Sequence, residues 1–189
     1  MIKSIMMLIA GVLMFSVPVM AAECVGVTHP ENTLVGKTKL ILNGLGVREA
    51  TIFKVDVYVA ALYLETRSSS GKAILDSTTP KKLALKFVRN VSKDEVSTAW
   101  LEGFEKTAGG DLAKLRGRIS ELNGWMTDMT DGSTLTFTYK NAVLKIEMNG
   151  EYKGAVPGND FAKAFFAIWL GPEPPNAGLK SGLLGGSCG

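Results

Sequence analysis

Few side chains in this 189-residue sequence are placed to do chemistry, and the clearest of them is an arginine. Arg48 follows the run Leu42-Asn43-Gly44-Leu45-Gly46-Val47 and stands between apolar segments, so its guanidinium needs an acceptor if it is buried. The simpler alternative is an arginine at a strand end whose head snorkels into water. Other chemistry has little to draw on. The sole histidine, His29, has no second imidazole to join it in holding a metal. A Ser-His-Asp or Cys-His nucleophile would depend on that same His29, in a Thr-His-Pro turn context. Neither a metal nor a cofactor is expected.

Composition narrows the setting. Residues 1–22 read as a secretory signal peptide: Lys3 supplies the positive start, Ile5 to Met20 is apolar apart from a break at Pro18, and Val19-Met20-Ala21-Ala22 offers small residues for cleavage. That apolar core is too short to span a bilayer, and no later stretch stays apolar for the ~20 residues a span needs. The expectation is therefore an exported chain of one domain, residues 23–189, with no transmembrane segment after cleavage. The formal net charge is +3, of which Lys3 contributes one. The basic residues are spread out, and their densest group, Lys114, Arg116 and Arg118, reads as the solvated side of a helix, so no nucleic-acid partner is expected. Cys24 and Cys188 lie near the two ends of the exported chain. In an oxidising compartment such a pair favours a disulfide over a catalytic thiol. A lipoprotein reading fails because Glu23, not a small residue, precedes Cys24.

The elements that must position Arg48 follow from periodicity. Gly44 and Gly46 free the backbone to turn or to approach another group closely, and Val55, Val57 and Val59 then alternate with Lys54, Asp56 and Tyr58. The segment reads as one strand, a tight glycine bend carrying Arg48, and a second strand. A short helix is expected within Gly71 to Thr79. Pro80 then opens a strand with Leu83, Leu85 and Phe87 on one face. Ser92-Lys93-Asp94-Glu95 has the spacing of a capping box, with Val96, Ala99, Trp100, Gly103, Phe104 and Thr107 continuing at helical spacing to Gly109-Gly110. Leu112, Leu115, Ile119 and Leu122 mark a second long helix. After the Asp131-Gly132 turn, Leu135, Phe137 and Tyr139 alternate in one strand, and Ala142, Leu144, Ile146 and Met148 in the next. Asn149-Gly150 signals a type I′ hairpin into Glu151 to Val156. Phe161, Ala164, Phe165, Ile168 and Trp169 form the stripe of a final helix, broken by Gly171 to Pro175, and a Pro/Gly-rich tail follows. Amphipathic helices beside alternating strands give an α+β fold, an antiparallel sheet with helices packed on one face.

The run Leu42 to Glu65 resembles the opening strands of the chalcone isomerase family: Gly44, Gly46 and Arg48, then Leu62-Tyr63-Leu64-Glu65, match its layout. The resemblance implies the open-faced β-sandwich of that family, with a ligand cleft between sheet and helices. Chalcone isomerases use this arginine on the attacking phenolate, helped by a threonine on the next strand and by a tyrosine, a lysine and an asparagine on the following helix. Here the threonine position falls on Tyr58 and the helix positions on Val96, Ala99 and Gly103. The segment Glu49 to Val57 is also about two residues shorter than in the isomerases. The one candidate general base near the site, Asp56, is more simply a solvated strand residue beside Lys54.

In the fatty-acid-binding relatives the same arginine and a nearby tyrosine hold a carboxylate, which by resemblance assigns Arg48 and Tyr58 as ligand-binding residues. A planar guanidinium donates two parallel bonds to a carboxylate, and a tyrosine hydroxyl adds a third. Tyr58 as an ordinary strand aromatic is the alternative. The expected function is a periplasmic, non-catalytic binding protein for a fatty acid or similar small apolar carboxylate. Competing expectations are an intramolecular lyase or isomerase acting on an aromatic substrate, and a ligand-free periplasmic interaction factor.

Overall fold

The computed structural model describes residues 21–50 and 55–188. Nearly all of the expected signal peptide, residues 1–20, and Lys54 lie outside the described residues. The last two residues of that peptide, Ala21 and Ala22, begin a strand.

Strands β1 (Ala21–Cys24) and β2 (Val27–Pro30) form a separate two-stranded ribbon. The main sheet is an antiparallel meander of β3 (Asn32–Val35), β4 (Thr38–Ala50), β5 (Val55–Leu64), β6 (Lys81–Phe87), β7 (Thr134–Lys140), β8 (Val143–Met148) and β9 (Glu151–Pro157), each paired with its neighbour in sequence. The helices are α1 (Gly71–Asp76), α2 (Lys93–Thr107), α3 (Leu112–Gly124), α4 (Asn159–Leu170) and α5 (Ala177–Leu183). The sheet curls, so that Lys82 of β6 reaches the Thr33 hydroxyl at 3.4 Å and Lys140 of β7 reaches the Val35 carbonyl at 3.3 Å, both on β3.

Alternation along β5 divides the core in two. Tyr58, Ala60, Leu62 and Leu64 face the helices, where they join Trp100 and Phe104 of α2, Phe137 of β7 and Phe161, Phe165 and Trp169 of α4. The rings of this group interlock, with Phe137 and Phe165 centred 4.4 Å apart and Trp100 and Trp169 5.5 Å apart. Val59, Ala61 and Tyr63 point the other way, into a smaller cluster with Leu40, Leu42, Leu45 and Val47 that the β1–β2 ribbon covers through Cys24 and Val27. The expected α+β sheet with helices on one face is therefore the observed fold. At one end of the open face, the N-terminal ribbon acts as a partial second layer.

Local signals explain several element boundaries. The Ser92 side chain accepts from the Glu95 backbone and the Glu95 carboxylate accepts from the Ser92 backbone, the reciprocal cap of α2. Asn149 and Gly150 both take positive φ, as a type I′ turn between β8 and β9 demands. Asn141 and Ala142 do the same between β7 and β8, which moves Ala142 from the expected strand into a turn. His29 stands in β2 rather than in a turn and is buried, where desolvation first and the nearby Lys86 charge second push its pKa down to about 4. In the basic group on α3, Arg118 forms a two-pronged pair with Asp160 at the start of α4.

The larger correction concerns the glycines and the tail. Gly44 and Gly46 make no bend: both sit inside the continuous strand β4, on the face that receives α5. A Cβ on Gly44 would come within 2.0 Å of the Gly182 carbonyl oxygen, and one on Gly46 within 2.4 Å of the Leu179 carbonyl oxygen. The strand is bare there because a helix backbone lies directly upon it. That helix, α5, lies within the Pro/Gly-rich tail, where no helix was expected. Asn43, bulged out of register between Leu42 and Gly44, ties it down by donating to the Leu183 carbonyl at 2.7 Å while also bonding Ser68. Just beyond α5, Cys188 is joined to Cys24 in a disulfide. In Gly46→Ala the methyl meets backbone rather than a yielding side chain. We expect a loss of roughly 1–3 kcal/mol in urea unfolding, and an unchanged midpoint would contradict the tight docking.

Candidate functional site

A cleft of about 270 Å³ opens between the sheet and α2, where β4, β5 and β6 end and the segment linking α4 to α5 crosses above. Arg48 and Tyr58 both line it, as do Val96, Ala99 and Gly103 of α2. The two residues assigned to a ligand are thus brought together, and so are the three helix positions at which polar catalytic side chains were missing. Asp56 is opposite Glu49 in the β4–β5 pairing and does not line the cleft.

Strand pairing sets the geometry. Arg48 on β4 is the direct cross-strand partner of Tyr58 on β5, so their side chains rise side by side on the helix face. Tyr58 is only 7% exposed; it packs edge-on against Phe87, ring centres 5.6 Å apart. Its hydroxyl oxygen accepts from the indole N–H of Trp169 at 3.0 Å. That bond orients the hydroxyl and leaves its own proton free to donate. Burial pushes the Tyr58 pKa up to about 12, against smaller opposing effects from the Trp169 bond and the Arg48 charge. Across the neutral range Tyr58 is therefore a fixed neutral donor beside a cation. Arg48 is half-buried, and its guanidinium donates through Nη1 to the Glu49 carbonyl. Among the described residues no carboxylate lies within ion-pair distance of it.

Among the described residues, Arg48 sits where β4 is paired with β5 alone and has no strand on its other side. Strand β3 pairs only with Thr38 to Ile41, and the β4–β5 register slips between Arg48 and Glu49. The Asn176 side chain takes the place of a neighbouring strand: it donates to the Val47 carbonyl at 3.0 Å and accepts from the Glu49 amide at 3.3 Å, one bond on each side of the arginine. Asn176 directly precedes α5, so the same helix that presses on Gly44 and Gly46 holds the arginine in place.

The rim is of mixed sign. Arg89, Lys106, Glu95, Glu102 and Glu173 all line the cleft, and the carboxylate of Glu95 is occupied by the Ser92 cap. Glu102 and Glu173 are carboxylates of the cleft that were not among the candidate residues, of which Asp56 was the only acid. Glu102 was hidden on the polar side of α2, and Glu173 in the segment after α4, whose course the sequence did not reveal. Trp169 was expected only as a core ring, and its indole N–H role was missed. For Asn176 there was no signal, since its partners are backbone groups distant in sequence. Among the described residues, no group of three or more His, Cys, Asp or Glu is arranged to hold a metal, and no helix is long and apolar enough to cross a membrane.

The profile of the chalcone isomerase-like family matches residues 21–185. Among solved structures, a fatty-acid binding protein of Arabidopsis thaliana superposes with a TM-score of 0.68 at 18% identity, covering 84% of this chain and 92% of that one. No curated protein matches the sequence. At that identity the likeness is one of fold. The Asn176 bracket carries its own test: Asn176→Ala should speed hydrogen exchange at the Glu49 amide and cost ~1 kcal/mol of stability, whereas unchanged exchange there would show that the bracket holds nothing.

Proposed function

The chain belongs to the chalcone isomerase-like family, and on that premise we propose that it is an exported, periplasmic binding protein for a small apolar carboxylate and performs no catalysis. One observation carries the reading: Arg48 and Tyr58, a cation and a neutral donor fixed side by side, face a cleft with apolar walls and a rim of mixed sign, and no carboxylate is paired to the arginine among the described residues. A ligand carboxylate supplies the missing counter-charge. The guanidinium donates to both its oxygens and the Tyr58 hydroxyl to one of them, while Val57, Phe87, Val96 and Ile168 cover the tail. The fatty-acid binding function of the Arabidopsis protein with this fold points the same way.

The cleft walls argue against isomerisation. Stabilising a developing phenolate needs several donors aimed at the charge, and losing even one commonly costs an enzyme ~3–4 kcal/mol. Val96, Ala99 and Gly103 donate nothing from their side chains, Trp169 already spends its N–H on Tyr58, and the other donors that line the cleft, Arg89, Asn90 and Lys106, are exposed to solvent. Glu102 and Glu173 would add negative charge at the rim, not relieve it.

Two outcomes check the proposal. In calorimetric titrations, Arg48→Ala should weaken binding of a carboxylic acid about 10- to 100-fold, the worth of charge-assisted hydrogen bonds, and weaken the matching alcohol far less. Equal losses for acid and alcohol, or no saturable binding by the wild type, would leave Arg48 as a structural residue. Separately, ring closure of a chalcone should proceed at its background rate with the purified protein. Turnover abolished by Arg48→Ala would make the protein an enzyme instead.

A further inference from the structure

The chemistry of the cleft says what head group it takes; its size says how much tail. The volume of about 270 Å³ falls just below the range of roughly 300–1,000 Å³ in which drug-sized ligands are held. At roughly 30 Å³ for each liquid-packed heavy-atom group, that space takes about nine such groups, head included.

Its inner end is shut by contacts that a tail cannot pass. On the helix side α2 and α4 touch at Gly103 and Ile168, so closely that a Cβ on Gly103 would lie 2.9 Å from the Ile168 side chain. On the core side Trp100 stands edge-on to Phe137 at 5.8 Å and against Trp169 at 5.5 Å, and both partners are themselves buried. On the sheet side the Tyr58–Phe87 pair closes the floor. To lengthen the cleft inward, a ligand would have to break an interlocked ring cluster that carries much of the helix-face core, and close-packed interiors yield poorly to added atoms.

We infer that the ligand is a medium-chain carboxylate of about seven to nine carbons, and that the ring cluster behind Trp100 excludes long-chain fatty acids from full burial. This length limit rests on the carboxylate reading of Arg48 and Tyr58. Each methylene buried within the cleft raises affinity roughly fourfold. Methylenes beyond its capacity remain in water and raise it hardly at all.

The test is a chain-length series of acids from four to sixteen carbons, with the matching alcohols, titrated below micellar concentrations into the full exported chain. Acid affinity should climb roughly fourfold per methylene and then level off near eight carbons. Ile168→Ala, which removes the side chain closing the α2–α4 seam, should extend the climb by two or three carbons; Ile168→Val, a milder truncation, should extend it less. The wild-type breakpoint stands as a test even if neither variant folds. A climb continuing undiminished to sixteen carbons in the wild type would overturn the length limit while leaving the carboxylate reading intact. A breakpoint shared by acids and alcohols of equal affinity would overturn the carboxylate reading and keep the limit. If no member of either series bound, both would fall.

Discussion

The backbones of β4 and α5 meet with no side chain between them, and most of what distinguishes this protein depends on that contact. Gly44 and Gly46 leave the strand bare, Gly182 leaves the helix bare, and a methyl group at any of the three would intrude to within about 2.0–2.4 Å of a carbonyl oxygen on the other element. Close approach of this kind is what glycine allows and any other residue forbids. The contact places α5 against the half of β4 that β3 does not reach. It also sets Asn43 to grip the Leu183 carbonyl and Asn176 to bracket Arg48. The Cys24–Cys188 disulfide then ties the end of this segment to the N-terminal ribbon. By closing a loop across 164 residues it removes freedom from the unfolded chain.

The arrangement runs against what stability alone would favour. Among the described residues the half-buried Arg48 guanidinium has no carboxylate partner, so it gives up hydration and recovers a bond to a neighbouring carbonyl. Beside it, Tyr58 is buried in the cleft wall, oriented by Trp169 and kept protonated. A core optimised only to fold would place apolar side chains at both positions. Here the donors are spaced by strand pairing and braced by α4 and α5, so that on the proposed reading little further ordering is needed when a carboxylate arrives. Preorganisation of this kind turns a modest set of contacts into selectivity. The rim does not compete with it, since Arg89 and Lys106 are offset by Glu102 and Glu173.

Where the sequence was legible, the governing interactions were local or periodic. The Ser92–Glu95 cap, the Asn149-Gly150 turn and the stripe of α4 each depend on residues within a few positions of one another, and each stands where the sequence placed it. Arg48 and Tyr58 could be paired because a known layout surrounds them. What stayed hidden depends on distant backbone. Gly44 and Gly46 look alike whether a chain bends or receives a helix, and only the position of α5 decides between the two. The helix itself, Ala177–Leu183, is short and carries two glycines, a composition that reads as loop until its partner strand is known. Strands β1 to β3 are four residues each, too short for alternation to rise above noise. Asn43 and Asn176 act through bonds to backbone carbonyls and amides 25 to 140 residues away, and no local pattern announces them.

On the proposed reading, Arg48 and Tyr58 exist to hold a carboxylate. The decisive measurement is native mass spectrometry of the protein purified from its own source without added lipid, beside the same preparation of Arg48→Ala. The wild type should carry an aliphatic acid of medium length, released on denaturation and absent from the variant. A wild type that carries no small molecule, or one whose neutral passenger is retained in full by Arg48→Ala, would contradict that reading.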